Sequence, residues 1–371
     1  MLPPRKIVYL TGNSIVNKRD IFLAALGRQP SPRPAVGSAT SIVTADLMDT
    51  AGVQFPEAHL DSGKMASLAA AGYTVLGFDN VMPLFSVVQE SAALGCQIDW
   101  GNQRRMPAVT QPLCSDISEL VEIPRDLLKR RPCAVTLQAL SKLKKELGDE
   151  VAVVGKVFGP WTLGYHLYGL ENFLIASVEQ PDNLMRALRR LMEVTLQFGR
   201  AQIDSGADAL TLADHCTRDL CSPETYRDFL AEIHRELRER LTCPLILHIC
   251  GDTSDRIAYI AKTGIECFHF DSKVPSATSR TLAGEKLALM GGSSNFEIVK
   301  NGTPKSIEAD VKEKIACGID IIGPECAVPL DAPWRNLKLI ADVVQEQFGQ
   351  QSDSQDWRTA PVNSFNQPLE N

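Results

Sequence analysis

Short apolar runs recur along the chain between longer stretches with helical spacing. The runs fall at 35–40, 73–79, 151–158, 207–214, 245–250, 267–271, 287–292 and 319–323. They are continuous rather than alternating in character, as strands buried on both faces of a parallel sheet are. The intervening segments carry helix punctuation. Lys18 to Leu26 reads as a helix that Gly27 and the prolines at 30, 32 and 34 stop. Pro181 and Asp182 open a helix bearing Leu184, Leu188 and Leu191. Ser222, Pro223 and Glu224 supply an N-cap, a proline at the first helical position and an early acid, ahead of Tyr226, Phe229, Leu230, Ile233 and Leu237. Thr303 and Pro304 do the same for Ile307, Val311 and Ile315. Strand and helix therefore alternate, and eight strands predict a (β/α)8 TIM barrel of the α/β class. The other arrangement of such an alternation, a doubly wound open sheet, lacks support because no G-x-G-x-x-G follows an early strand. The stretch 79–151 exceeds one βα loop and predicts extra helices. Residues 1–348 are expected to form a single barrel domain with an N-terminal helical extension, and 349–371 a polar, mobile tail without apolar periodicity.

Composition narrows the function classes. The 371 residues are 44% hydrophobic and 22% charged, with a net charge of −7. That balance gives no general attraction for nucleic acid or an anionic membrane, so neither is expected as a partner. No run approaches the roughly 20 apolar residues of a membrane-spanning helix, and the opening Met-Leu-Pro-Pro-Arg-Lys lacks a signal-peptide core. The ten cysteines, scattered without small-domain spacing, read as thiols in a reducing compartment, and the expected location is cytoplasmic. Such thiols are available to a metal.

Chemistry concentrates where the strands end, which in a barrel of this kind is the active-site face. Side chains alternate along a strand, so His248 and Cys250 point the same way and can grip one ion, and Cys326 can close the grip. One imidazole and two thiolates suit Zn²⁺, and three protein ligands leave a fourth position open. Asp271, one strand beyond, could supply a weak oxygen ligand there. Asp79, Asp214, Ser293 with Ser294, and Glu325 also fall at predicted strand ends, although a lone Asp after a strand serves equally well as a helix cap. His215 reads as a solvated loop residue or a partner behind the ligands. Cys216 and Cys221 read as incidental, and Cys267 and His269, earlier in their strand, as buried. Tyr165, His166 and Tyr168 are expected in a pocket wall. Two thiolates already cancel the charge of the dication, so such a site binds a substrate thiol and keeps it nucleophilic, and alkyl transfer to sulfur follows. Water activation is the alternative.

The stretches Ser41-Ile-Val-Thr-Ala-Asp-Leu-Met-Asp, Phe55-Pro-Glu-Ala-His, Gly77-Phe-Asp-Asn-Val, Leu247-His-Ile-Cys-Gly-Asp and Gly323-Pro-Glu-Cys-Ala-Val-Pro-Leu resemble the methylcobalamin:coenzyme M methyltransferases of the uroporphyrinogen decarboxylase superfamily. The similarity spans roughly residues 18 to 345. It implies a (β/α)8 barrel, a zinc held by His248, Cys250 and Cys326, and a thiol as fourth ligand that attacks the methyl group of a methylated corrinoid. The donor, methylcobalamin or a methyl-corrinoid protein, brings a large flat macrocycle to the barrel mouth, where Tyr165, His166 and Ser293 are the candidates to meet it. Asp79 and Asp214 join the three ligands as catalytic candidates. Asp79 stands where the methyltransferases carry Glu and resembles the catalytic Asp of the decarboxylases. The decarboxylases' arginine-rich signature is absent, with Arg33-Pro-Ala-Val-Gly near its place. Homocysteine or tetrahydrofolate as acceptor, and a metal-independent decarboxylase-type lyase, are the alternatives. The corrinoid-carrying motif D-x-H-x-x-G does not occur, which argues for a separate corrinoid protein.

Overall fold

Among residues 17–349 and 356–359, which the computed structural model describes, the apolar runs assemble into one eight-stranded parallel sheet. In chain order the strands are β1 (Ala35–Val36), β2 (Asn80–Val81), a small antiparallel hairpin of β3 (Gln97–Asp99) and β4 (Ala108–Gln111), then β5 (Ala152–Phe158), β6 (Ala209–Ala213), β7 (Leu245–His248), β8 (Cys267–Phe270), β9 (Ala288–Ser293) and β10 (Ile321–Pro324). The sheet runs β1-β10-β9-β8-β7-β6-β5-β2. Its two ends meet: the Asp79 N–H donates to the Val36 carbonyl at 2.7 Å, and the Asn80 amide clasps the Ser38 N–H at 3.0 Å and the Ser38 carbonyl at 2.9 Å. The (β/α)8 barrel expected from the alternation is thus present, with helices on its outer face.

Register and alternation decide what faces inward. The direction in which Gly155 would carry a Cβ meets Gln202 and Leu210, on the helix side. Its neighbours on either side along β5 therefore face the interior. Lys156 pairs in register with Thr211, which pairs with Ile246, then Cys267, then Ala288. Two residues further along, the next inward tier is Phe158, Ala213, His248, His269 and Met290. The second tier carries the chemistry, and the first lies beneath it.

The outer helices are held by the periodicities that announced them. Pro181–Asp204 buries Leu184, Leu188 and Leu191, and Pro304–Ala316 buries Ile307, Val311 and Ile315 behind a Thr303 and Ser306 capping box. Ser222 caps its helix by accepting the Thr225 N–H. One expected strand is displaced. The run 73–79 begins inside a helix, Ser62–Thr74, whose start Asp61 caps, and the strand is the shorter Asn80–Val81. Between 79 and 151 the expected extra helices are Gln89–Leu94 and Arg131–Leu147. In the polar tail, Trp357 is buried with its ring centroid 6.2 Å from that of Phe348, and Arg358 pairs with the buried Asp320 at 2.9 Å. Residues 350–355 and 360–371 lie outside the described residues, as do 1–16. No described helix is long and apolar enough to cross a membrane.

Candidate functional site

β7 ends on His248 and the chain continues through Ile249 to Cys250, while Cys326 follows the end of β10. Their ligand atoms converge. His248 Nε2 is 3.0 Å from Cys250 Sγ and 3.5 Å from Cys326 Sγ, and the two sulfurs are 3.0 Å apart. Cys250 donates to Cys326, which holds the Cys326 thiol well below its ordinary value and leaves the Cys250 thiol raised. The pair thus favours a thiolate on Cys326.

The tautomer of His248 follows from its neighbour. His269, opposite it in register on β8, has Nε2 2.8 Å from the Pro324 carbonyl and Nδ1 2.7 Å from His248 Nδ1. A carbonyl only accepts, so His269 Nε2 carries the proton and its Nδ1 is an acceptor. His248 Nδ1 must then donate, which leaves the Nε2 lone pair facing the two sulfurs. Burial pulls His269 well below the usual histidine range, so it stays neutral and the relay holds. This donor set fits a borderline-soft dication such as zinc: an unprotonated imidazole nitrogen, a ready thiolate and a second thiol, with the imidazole oriented from behind.

Two glycines make the geometry possible. Gly251 has φ +80°, and a Cβ there would lie 2.5 Å from Thr217 Oγ1. Gly291, at φ +95°, leaves room for the His269 ring, which a Cβ would approach to 2.6 Å. Carboxylates clasp the loops around the ligands. Glu325 accepts the Ser272 N–H at 3.0 Å and the Asn295 N–H at 2.7 Å, tying the loops after β8 and β9 beside Cys326.

Several of the other expected site residues stand elsewhere. Asp79 is not at the active face: it precedes β2, its carbonyl bonds the N–H of Ala152 at the start of β5, and its carboxylate forms two hydrogen bonds to Arg33 at 2.6 and 2.9 Å. It also accepts the Val36 N–H at 2.8 Å, so it is a barrel-closing residue rather than a catalytic one. Asp214 does lie at the end of β6 but is fully buried behind the site, accepting the Thr162 N–H at 2.8 Å and bonding His234 Nε2 at 3.0 Å. Asp214, Cys216 and His234 also cluster, yet Tyr226 takes the other His234 nitrogen at 3.1 Å, which closes that network as a structural one. Asp271 is not in the ligand group: its carboxylate accepts the Gly251 N–H at 2.8 Å and the Lys273 N–H at 3.0 Å, so it holds the loop after Cys250. Ser293 turns away from the mouth and donates to Asp310 at 2.5 Å. Tyr165 lies within electrostatic reach of Cys250, and His215 within reach of His248 and Cys326. His166 bonds Ser91 at 3.1 Å, and its ring is 4.8 Å from that of Tyr165. Tyr165, His166 and His215 therefore form one aromatic wall beside the ligands, whereas Tyr168 is buried and donates to the Glu119 carbonyl.

Sequence reasoning missed the relay role of His269, which it read as simply buried. The signal was its register beside His248, and register needs the sheet. It also passed over Lys156, the one charged residue of β5, along with Glu90 and His59.

The family model for uroporphyrinogen decarboxylase (URO-D) matches residues 17–347. A methylated-thiol–coenzyme M methyltransferase of Methanosarcina mazei is 34% identical over 304 residues, 82% of each chain. The methylcobamide:CoM methyltransferase MtaA of Methanosarcina barkeri is 29% identical, over 88% of this chain and 97% of that one. A solved methyltransferase from Methanosarcina mazei superposes with a TM-score of 0.86 at 29% identity, covering 90% of this chain and 99% of that one.

Proposed function

The chain belongs to the uroporphyrinogen decarboxylase (URO-D) family, and from that premise we propose that it is a zinc-dependent methyltransferase that moves a methyl group from a methylated corrinoid to a thiol such as coenzyme M. The observation that carries this reading is the convergence of His248 Nε2, Cys250 Sγ and Cys326 Sγ within 3.5 Å of one another at the barrel mouth. The relatives named for methyl transfer to coenzyme M support the same reaction.

His248, Cys250 and Cys326 would hold the ion, with His269 fixing the imidazole that faces it. A zinc held there would supply the Lewis acidity that lowers the acceptor thiol's pKa, and the Cys250 and Cys326 thiolates beside it would keep that sulfur electron-rich. The thiol proton leaves to solvent. The sulfur then forms the new C–S bond as the methyl–cobalt bond breaks, its electron pair staying with cobalt. The wall of Tyr165, His166 and His215 narrows the approach to the reacting sulfur. The donor macrocycle arrives over the mouth on a separate corrinoid protein.

The test is the metal content of the purified protein, followed in the same sample by loss of methylcobalamin absorbance with coenzyme M, homocysteine or tetrahydrofolate offered separately. One zinc per chain with turnover on a thiol is expected. Absence of zinc would return the chain to a metal-independent, decarboxylase-type lyase, and zinc with turnover only on tetrahydrofolate would replace the thiol as acceptor.

A further inference from the structure

The ten cysteines are all free, and six of them are buried. Cys114, Cys250, Cys317 and Cys326 are half-buried. Among these four, Cys250 and Cys326 are in contact with each other, their sulfurs 3.0 Å apart. Cys317, by contrast, donates to a Glu313 oxygen at 3.2 Å. The Cys250 and Cys326 pair reaches across the mouth of the barrel. Cys250 follows β7 and Cys326 follows β10, with β8 and β9 between those strands in the sheet and 76 residues between the two cysteines in the chain.

Two thiols in contact at an open rim are one bond short of a disulfide. That bond is about 2.05 Å long, so the sulfurs have to approach by about 1 Å. Both belong to residues beyond the strand ends, outside the sheet ladder, where such a shift breaks no strand pairing. The bond and a bound ion exclude each other, because thiolates are the metal ligands and a disulfide has none to offer.

We propose that Cys250 and Cys326 form a redox-modification site, at which a peroxide joins them in a reversible disulfide that ties the mouth across and removes two of the three metal ligands. The peroxide is the only co-reactant the step needs. One sulfur attacks the peroxide O–O bond, giving a sulfenic acid and a first water. The second sulfur then displaces the hydroxyl of that sulfenic acid, forming the S–S bond and a second water. The peroxide gains the two electrons that the sulfurs lose, and both thiol protons end in the waters. A dithiol reverses the step by exchange and carries the disulfide away on itself. The pairing rests on the sulfur geometry alone, and its consequence for the metal rests on the zinc reading above.

The experiment uses the full chain, stripped of metal with a chelator, freed of reductant and treated with a small excess of hydrogen peroxide. Thiols are titrated in denaturant, the linkage is read from peptides cleaved and fragmented without reduction, and zinc uptake is followed by competition with a chromophoric chelator. The expected result is the loss of two of the ten thiols, a mass lower by two hydrogens, a link between Cys250 and Cys326, and no zinc uptake. Dithiothreitol then restores both thiols and the zinc uptake. Protein loaded with zinc beforehand keeps all ten thiols under the same treatment. Unchanged thiols, stable addition of oxygen to either sulfur, or a link between other cysteines such as Cys96 and Cys114, which lie within electrostatic reach of each other, overturns the assignment. A zinc-loaded chain that oxidises as fast as the metal-free one overturns the competition between bond and ion. Reduced protein that takes up no zinc contradicts the zinc reading, while the thiol count and the linkage still decide the pairing. The unaltered chain supplies every one of these readouts, so none depends on a variant that folds.

Discussion

The proton on His248 Nδ1 decides whether the opposite nitrogen can serve as a ligand, and His269 decides where that proton sits. Replacing His269 with Phe keeps the ring and removes the acceptor. Zinc affinity measured by chelator competition should fall by about 10- to 100-fold, as for other partners behind metal ligands. Unchanged affinity would show that the relay does not orient the ligand. Cys250→Ala or Cys326→Ala should lose zinc and thiol methylation together while the circular dichroism spectrum stays that of the barrel, because both residues lie at the strand ends rather than in the apolar core. Retention of full methyl transfer by either variant would contradict the zinc mechanism. His59 makes a prediction about stability. Burial holds it neutral in the folded protein, with its pKa lowered to about 3 from an ordinary 6.5. Between those values the unfolded chain binds the extra proton, so stability is full above pH 6.5 and is lost as pH falls toward 3, by as much as about 4 kcal/mol. Its ring stacks on Phe55 at 4.0 Å. His59→Phe should therefore be no less stable at pH 7 in urea melts and show a shallower loss in acid; an identical pH slope would mean that His59 is not the group responsible.

Single elements position the site through their ends. β7 is only Leu245–His248, and the residues that follow it form the loop that carries Cys250, then Gly251 at φ +80° against Thr217, then the hydrogen bond from Gly251 to Asp271. Gly251→Ala should strain this turn by about 1–2 kcal/mol in denaturant melts and weaken zinc binding, because the left-handed conformation and the close Thr217 both oppose a Cβ. Unaltered stability and zinc content would place the turn elsewhere in the energetics. At this scale the sequence was informative where local chemistry dominates. Ser222, Thr303 and Pro304 marked helix starts because caps are local hydrogen bonds, and the H-x-C spacing marked one face because alternation is local. β2 was misplaced because its apolar lead-in is continuous with the Ser62–Thr74 helix, and apolar character alone does not separate a buried helix from a buried strand.

At the scale of the whole molecule, function depends on the sheet closing, and Asp79 belongs to that closure. Its bonds to Arg33 and to the N–H of Val36 pin β2 to β1, and Asp79→Asn should cost about 3 kcal/mol in urea melts while zinc affinity is retained. Loss of zinc binding in a folded Asp79→Asn protein would return that residue to the site. The barrel was legible in the sequence because it rests on periodicity, and so was the shared face of His248 and Cys250, which Cys326 meets in the folded chain. The placements of Asp79, Asp271, Ser293 and His269 were not, because they depend on which strand lies beside which and by what register, and only the closed sheet fixes that. All of these placements serve one claim, that the acceptor sulfur joins His248, Cys250 and Cys326 around a single zinc. X-ray absorption at the zinc edge, recorded before and after addition of 2-mercaptoethanesulfonate, tests it most directly. The account predicts two sulfur scatterers in the resting protein and three with the thiol, and a sulfur shell that stays at two while methyl transfer proceeds would contradict it.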